Sequence, residues 1–274
     1  IEFFKEFNPN KWNGFYDEGQ LSDPIFLIGF PRSGTTLLDT ILSTNKSVEV
    51  IEEKPILKNF LINIEKKTNN DLNQLANLDH DYIKKMQSFY FNERNKYLKN
   101  KNSKVVIDKM PLNIIHIGEI LRFFPNAKFI FALRNPYDCV LSCFMQQFEL
   151  NPAMKNFLSI DSSAILYDLV MRLWMMYREI FTINCHFIKY EDTVLNFEKT
   201  TKDIYKYLGL DWSEETKDFY KTGKDRLDIS TPSYDQVTNP LYSKSVNRWK
   251  NYEKEFEDVK NILDIWVNEF DYKI

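Results

Sequence analysis

Residues Pro24 to Leu42 read PIFLIGFPRSGTTLLDTIL, and this stretch decides the fold. It opens with the apolar run Ile25-Phe26-Leu27-Ile28, the length of a buried strand. Gly29 and Gly34 bracket a tight turn, and Leu38, Ile41 and Leu42 follow at helical spacing. Strand, glycine-bounded loop and helix N-terminus form an anion cradle, because successive N–H groups point inward and the helix dipole favours negative charge there. Against the phosphate-loop pattern G-x-x-x-x-G-K-[ST], Gly29, Gly34 and Thr36 fall in register, but Thr35 holds the lysine position. That lysine normally reaches the β- and γ-phosphates of a triphosphate, so its replacement argues against NTP hydrolysis. Arg32 puts one cation inside the loop.

The chain has 274 residues, enough for a sizeable core and one large α/β domain. A net charge of −3 does not suit a general nucleic-acid binder, and no nucleic-acid partner is expected. Cys139, Cys143 and Cys185 form neither a C-x-x-C pair nor a metal-ligand cluster. Buried free thiols are expected, which fits a reducing, cytoplasmic setting. No apolar run reaches the roughly 18 residues of a membrane span. The chain starts at Ile1 rather than Met, which leaves room upstream for a leader, an anchor or a repeat domain.

Along the chain, residues 1–23 read as a lead-in segment, and Val48 to Ile51 as a second strand delivering Glu52-Glu53-Lys54-Pro55. The polar stretch 56–102 reads as a helical insertion with a solvated face. Lys104 to Asp108 and Ala127 to Leu133 read as buried strands, with a helix from Leu112 to Phe124 between them. Asn135 then fits an N-cap with Pro136 at the first helical position. A long helix is expected from Ser163 to Phe181, a strand at His186 to Ile188, and a helix closing at Gly209. Residues 231–252 read as an irregular loop, followed by an amphipathic helix reaching Phe270. Strands alternating with helices predict an α/β fold, a P-loop-type doubly wound parallel sheet, with all of 1–274 in one domain.

Ligands of such sheets bind beyond the carboxyl ends of the strands, where Arg32, Glu53, Lys109, Arg134 and Tyr190 all fall. A surface lysine and a solvated turn glutamate remain the plain alternatives for Lys109 and Glu53 on spacing alone. Val105-Val106-Ile107-Asp108 also imitates the carboxylate-ended strand of a nucleotide kinase or NTPase. A non-catalytic nucleotide-binding module is a further alternative.

GFPRSGTT, Gly29 to Thr36, resembles the 5′-phosphosulfate loop of sulfotransferases that use 3′-phosphoadenosine 5′-phosphosulfate (PAPS). The likeness runs from about Pro24 to about Tyr252 and is greatest to the tyrosylprotein and tetratricopeptide-repeat branch. The resemblance implies a sulfuryl transfer from PAPS to an acceptor hydroxyl or phenol, with 3′,5′-adenosine bisphosphate (PAP) as product and no metal. The leaving 5′-phosphate needs cations and backbone donors, which Pro31, Arg32, Ser33, Gly34, Thr35 and Thr36 would supply. Lys109 matches the family lysine of the Lys-x-Pro context, which assists the departing oxygen. Glu53 matches the second glutamate of the Glu-Glu pair, the general base, while Glu52 is expected to point elsewhere because side chains alternate on an extended backbone. Arg134 and Ser142 match the pair that takes the 3′-phosphate, and Tyr190 a residue near the adenosine. Tyr242 to Trp249 resembles a late loop closing over the cofactor, with Lys244, Ser245 and Arg248 as its candidates and Trp249 as a core anchor. His80, His116 and His186 match no family base and read as structural or surface residues. Two departures, Pro55 in place of an arginine and Asp108 in place of a bracing cysteine, weaken transfer of the peptidyl-tyrosine acceptor but not of the reaction.

Overall fold

Short apolar runs with β-branched and aromatic residues form five strands, all parallel: β1 (Ile25–Gly29), β2 (Val48–Glu52), β3 (Val105–Lys109), β4 (Lys128–Leu133) and β5 (Asn184–Lys189). Their order is β2-β3-β1-β4-β5. The structure, a computed structural model, describes residues 1–5, 7–8, 12, 23–149, 151–225, 237–239, 241 and 244–272. The chain leaves β1 toward β2 and β3 on one side and then crosses to β4 and β5 on the other, so the switch point lies at the carboxyl end of β1. The loop of the opening motif sits there.

Alternation along β1 sends Phe26 and Ile28 to one face and Leu27 to the other. On the first face they join Ile51, Phe129 and Phe131 under the helices Ile56–Thr68, His80–Asn95, Ile160–Ile180 and Lys260–Glu269. On the second, Leu27, Ile107, Ile130 and Ile188 meet the loop helix Thr35–Leu42 and the helix Phe197–Tyr207. Covering both faces removes the edge between core and solvent that an alternating strand would need, which is why the strands read as continuous apolar runs.

The insertion departs from its expected character. Its two helices do carry solvated faces, but Phe60, Ile64, Ile83 and Met86 are buried, each worth about 1.5–3 kcal/mol of burial. The insertion is therefore part of the core. Among the described residues of the lead-in segment, Phe4 and Trp12 are buried, with Phe4 edge-on to Tyr177 at 5.0 Å. The expected helix after Lys109 begins as a 3₁₀ turn, Pro111–His116, and becomes α-helical over Ile117–Phe123. Ser159, not Ser163, opens the long helix, its side chain accepting from Ser162 N at 3.1 Å. Gly209 adopts φ +69° and closes its helix by a Schellman pair, Leu210 N to Tyr205 O and Gly209 N to Lys206 O. Cys139 and Cys143 are buried and all three thiols are free. Most of residues 231–243, including the prolines expected to break that loop, lies outside the described residues.

Candidate active site

The loop after β1 is a cradle that closes on a helix N-terminus. The first bond of helix Thr35–Leu42 is Leu38 N to Gly34 O, and no side chain caps its N-terminus. A helix terminus without a side-chain cap presents its dipole to an anion. Ser33 Oγ is buried behind the loop and makes no protein hydrogen bond. Gly34 holds φ +100°, and a Cβ there would stand 2.9 Å from the Tyr190 ring. At Gly29 a Cβ would meet Ala132 O and Ser33 Oγ at 2.6 Å. Both glycines are thus required by close approach. Arg32 takes a left-handed φ of +67°, a strained state for a side-chain-bearing residue, and this turns its head away from the strand.

The loop is held from the β4 side. Arg32 Nε donates to Ser142 Oγ at 3.1 Å, and Arg134 Nη1 donates to Arg32 O at 3.1 Å. Arg134 stands over the Tyr190 ring, 5.0 Å from its centroid, and its Nε is buried without a protein partner. Asn135 caps helix Pro136–Phe144, its side chain accepting from Tyr137 N at 3.0 Å, which fixes the direction of Ser142 two turns on. Arg32 and Arg134 beside a helix terminus without a side-chain cap, with Ser33 Oγ buried behind the loop, fit a phosphate-bearing ligand.

Beyond β2 the two glutamates behave differently from the expectation. Lys109 Nζ donates to Glu52 Oε1 at 3.0 Å and to Glu53 Oε1 at 2.9 Å. Glu52 and Lys109 are register neighbours on adjacent parallel strands and so share a face. Glu53 follows the strand with φ +49°, which breaks the extended alternation and brings its side chain back to the same lysine. Glu52 does not point elsewhere. Lys109 is fully buried; burial alone would lower its pKa, but Glu53, Asp39 and Glu52 together outweigh that and hold it above the ordinary lysine value. Lys109 is therefore a protonated cation enclosed by carboxylates, while Glu53 is still 35% exposed toward the cleft.

One cavity of about 510 Å³ joins these parts. It is lined by Pro31, Arg32, Gly34 to Leu37, Glu53, Arg134 and Tyr190, and on its far side by Met110 to Leu112 and by residues between Gln147 and Met154. Ser142 bonds the lining residue Arg32 but does not itself line the cavity, and Lys109 lies behind Glu53. Ser245 meets Arg134 Nη2 through its carbonyl at 2.8 Å, whereas Lys244 and Arg248 are exposed and outside the lining. Trp249 is the anchor expected, stacked on Tyr137 at 4.3 Å. Tyr242 lies outside the described residues. His116 pairs with Glu119, His186 stacks on Tyr207, and no histidine lines the cavity among the described residues.

Asp108 faces the opposite side of β3 from Lys109. It is fully buried, accepts from Tyr90 Oη at 3.0 Å, and burial pushes its carboxyl up to about 7. Among the described residues no group of His, Cys, Asp and Glu could hold a metal ion, and no helix is long and apolar enough to cross a membrane.

Sequence reasoning missed several supports. Cys139 and Cys143 both direct their thiols at Pro31 O, 3.2 Å each, bracing the loop from beneath. Asp138 accepts from Asn247 N at 2.7 Å and Trp249 N at 2.9 Å, tying the late loop to the helix that carries Ser142. Asp39 adds charge behind Lys109. The adjacency of Asp138 to the recognised Asn135-Pro136 cap was a usable signal for the second; the others depend on folding.

A family model described as the Sulfotransferase family matches residues 24–214. An uncharacterized protein of Aquifex aeolicus is 28% identical over 88% of this chain and 32% of its own length. Protein-tyrosine sulfotransferase 2 of Gallus gallus is 26% identical over 82% of this chain and 62% of its own length. The chain thus spans less than two thirds of these curated relatives. The sulfotransferase domain of the Synechococcus PCC 7002 olefin synthase superposes with a TM-score of 0.65 at 18% identity, covering 95% of this chain and 98% of that domain, and shares the fold. By the family match across most of its length, this chain belongs to the Sulfotransferase family.

Proposed function

We propose that the protein transfers a sulfuryl group from PAPS to an acceptor hydroxyl. One observation carries the reading: a helix terminus without a side-chain cap, flanked by Arg32 and Arg134, opens onto the same cavity as Glu53, which is paired to Lys109 behind it. When bound, PAPS supplies a sulfuryl group whose bond to the 5′-phosphate oxygen breaks as the bond to the acceptor oxygen forms. The N–H groups of Gly34 to Thr36, Ser33 Oγ and Arg32 hold the 5′-phosphate. Arg134 and Ser142 hold the 3′-phosphate, with Tyr190 beside the nucleoside.

Glu53 takes the acceptor's proton, since its carboxylate faces the cavity while its pairing to Lys109 fixes its direction. Proton uptake neutralises Glu53 and weakens its hold on Lys109, whose charge then serves the departing oxygen. Glu52 keeps the ammonium in place throughout. Base and electrophile are thereby coupled in one ion pair. The competing kinase-like reading needs Asp108 at the ligand, but Asp108 is buried on the other face under Tyr90.

The test is transfer from PAPS across a panel of phenols and alcohols, by wild type and by Glu53→Gln. Product formed by wild type and lost in the variant supports the reading. PAP binding without transfer to any member would favour a non-catalytic binding module.

A further inference from the structure

Resting on the sulfotransferase reading, we infer that the acceptor is an uncharged alcohol or phenol with an apolar body. Two walls of the cavity are built from different elements, and both contribute apolar side chains, with Gln147, Glu149 and Asn151 as polar neighbours in the second. Met110 and Leu112 follow β3 directly, and Phe148 and Met154 come from the segment after helix Pro136–Phe144. The second wall is anchored: Phe148 packs on Phe157 at 5.2 Å, and Phe157 meets the buried Phe30 of the loop edge-on at 5.7 Å. Apolar side chains backed by core aromatics form a fixed surface that gains from each methylene it covers.

Charge points the same way. The charged residues among the described lining are Arg32 and Arg134, at the loop, and Glu53 and Glu149, at the acceptor end. Lys54, next to Glu53, and Lys155, next to Met154, are exposed and outside the lining. An acceptor flanked by carboxylates would bring like charge beside Glu53 and Glu149 and lose solvation with no cation at that end among the described lining to offset it. A cationic acceptor gains from the same glutamates but forfeits solvation against the apolar walls. A neutral acceptor meets neither cost.

The experiment measures binding to PAP-loaded full-length protein by calorimetry, so that no turnover is needed. The probes are 2-naphthol and a tyrosine peptide flanked by aspartates. Saturable naphthol binding is expected, weakened roughly tenfold by Phe148→Ala and by Met154→Ala with PAP affinity retained. The peptide should bind weakly to wild type and gain several-fold in Glu149→Lys, an exposed change that does not disturb the core. Tighter binding of the peptide than of naphthol by wild type overturns the inference, as does naphthol binding indifferent to both wall substitutions or absent altogether. Failure of PAP itself to bind is a separate outcome, and it removes the sulfotransferase reading on which the inference rests.

Discussion

At the loop end of the cavity, Arg32, Ser33, Gly34 and Arg134 surround one helix terminus; at the other end, Met110, Leu112, Phe148 and Met154 present uncharged walls to Glu53. The first end is specified by backbone and charge: left-handed dihedrals, glycines without room for a Cβ, and guanidinium groups at set positions. Few residue types satisfy those demands. The second end is specified mainly by shape, which many apolar residues can supply, with Glu149 adding charge at its rim. Chemistry that every member of a reaction class must perform is fixed in the first manner, and acceptor choice is free to vary in the second.

The sharpest way to break this contrast is at the Glu53–Lys109 pair, which stands between the two ends. Glu53→Gln should lower kcat by roughly 10²–10⁴ while PAP affinity, measured by calorimetry, stays within a few-fold. Lys109→Ala should lower kcat by at least as much, and it also leaves the buried Glu52 without its cation. A fall in Tm is therefore expected for the lysine variant and not for the glutamine one. Equal Tm values would mean that Glu52 does not depend on Lys109.

One residue back along β3, the contrast is between faces of the sheet. Asp108 is raised to about 7 by burial from an ordinary 3.8. Between those values the unfolded chain has lost the proton that the folded chain keeps, so stability falls as pH rises through the window. Asp108→Asn removes this cost. Its stability advantage over wild type should grow between about pH 4 and 7, by up to the order of 4 kcal/mol, in paired urea titrations. A pH-independent difference would show that Asp108 is ionised in the folded protein.

At the loop end, Arg134→Ala should weaken PAP binding roughly 10–100-fold and 5′-AMP binding much less, as the proposed role of its guanidinium at the 3′-phosphate requires. A smaller effect is expected at Asp138, whose two oxygens hold Asn247 and Trp249. Asp138→Asn keeps one acceptor and loses the other, so PAP affinity should drop only a few-fold, with no change in the relative preference among acceptors. Altered acceptor preference would place the late loop at the wrong end of the cavity.

The fold was legible because Ile25 to Ile28 and Ala127 to Leu133 are continuous apolar runs, and because Gly29 and Gly34 sit at loop spacing. Arg32, Glu53, Lys109, Arg134 and Tyr190 could be found because each ends a strand or sits in the turn after one, and a parallel sheet gathers such positions at one edge. Glu52 was misjudged because alternation holds only while the backbone stays extended, and the left-handed turn at Glu53 is invisible to a period-two pattern. The insertion looked solvated because its lysines and asparagines outnumber the apolar stripe that Phe60, Ile64, Met86 and Tyr90 form once folded. The Phe148–Met154 wall left no mark at all. Its residues are ordinary, and their meaning lies in what they face.

The central claim is that this cavity is shaped for a nucleotide carrying both 5′- and 3′-phosphates. Calorimetric titration with PAP, set beside 5′-AMP and beside ATP with magnesium, tests it most directly. The account predicts tight binding of PAP, with 5′-AMP weaker by the contribution of Arg134 and Ser142 and with ATP disfavoured. Preference for ATP with magnesium would contradict it.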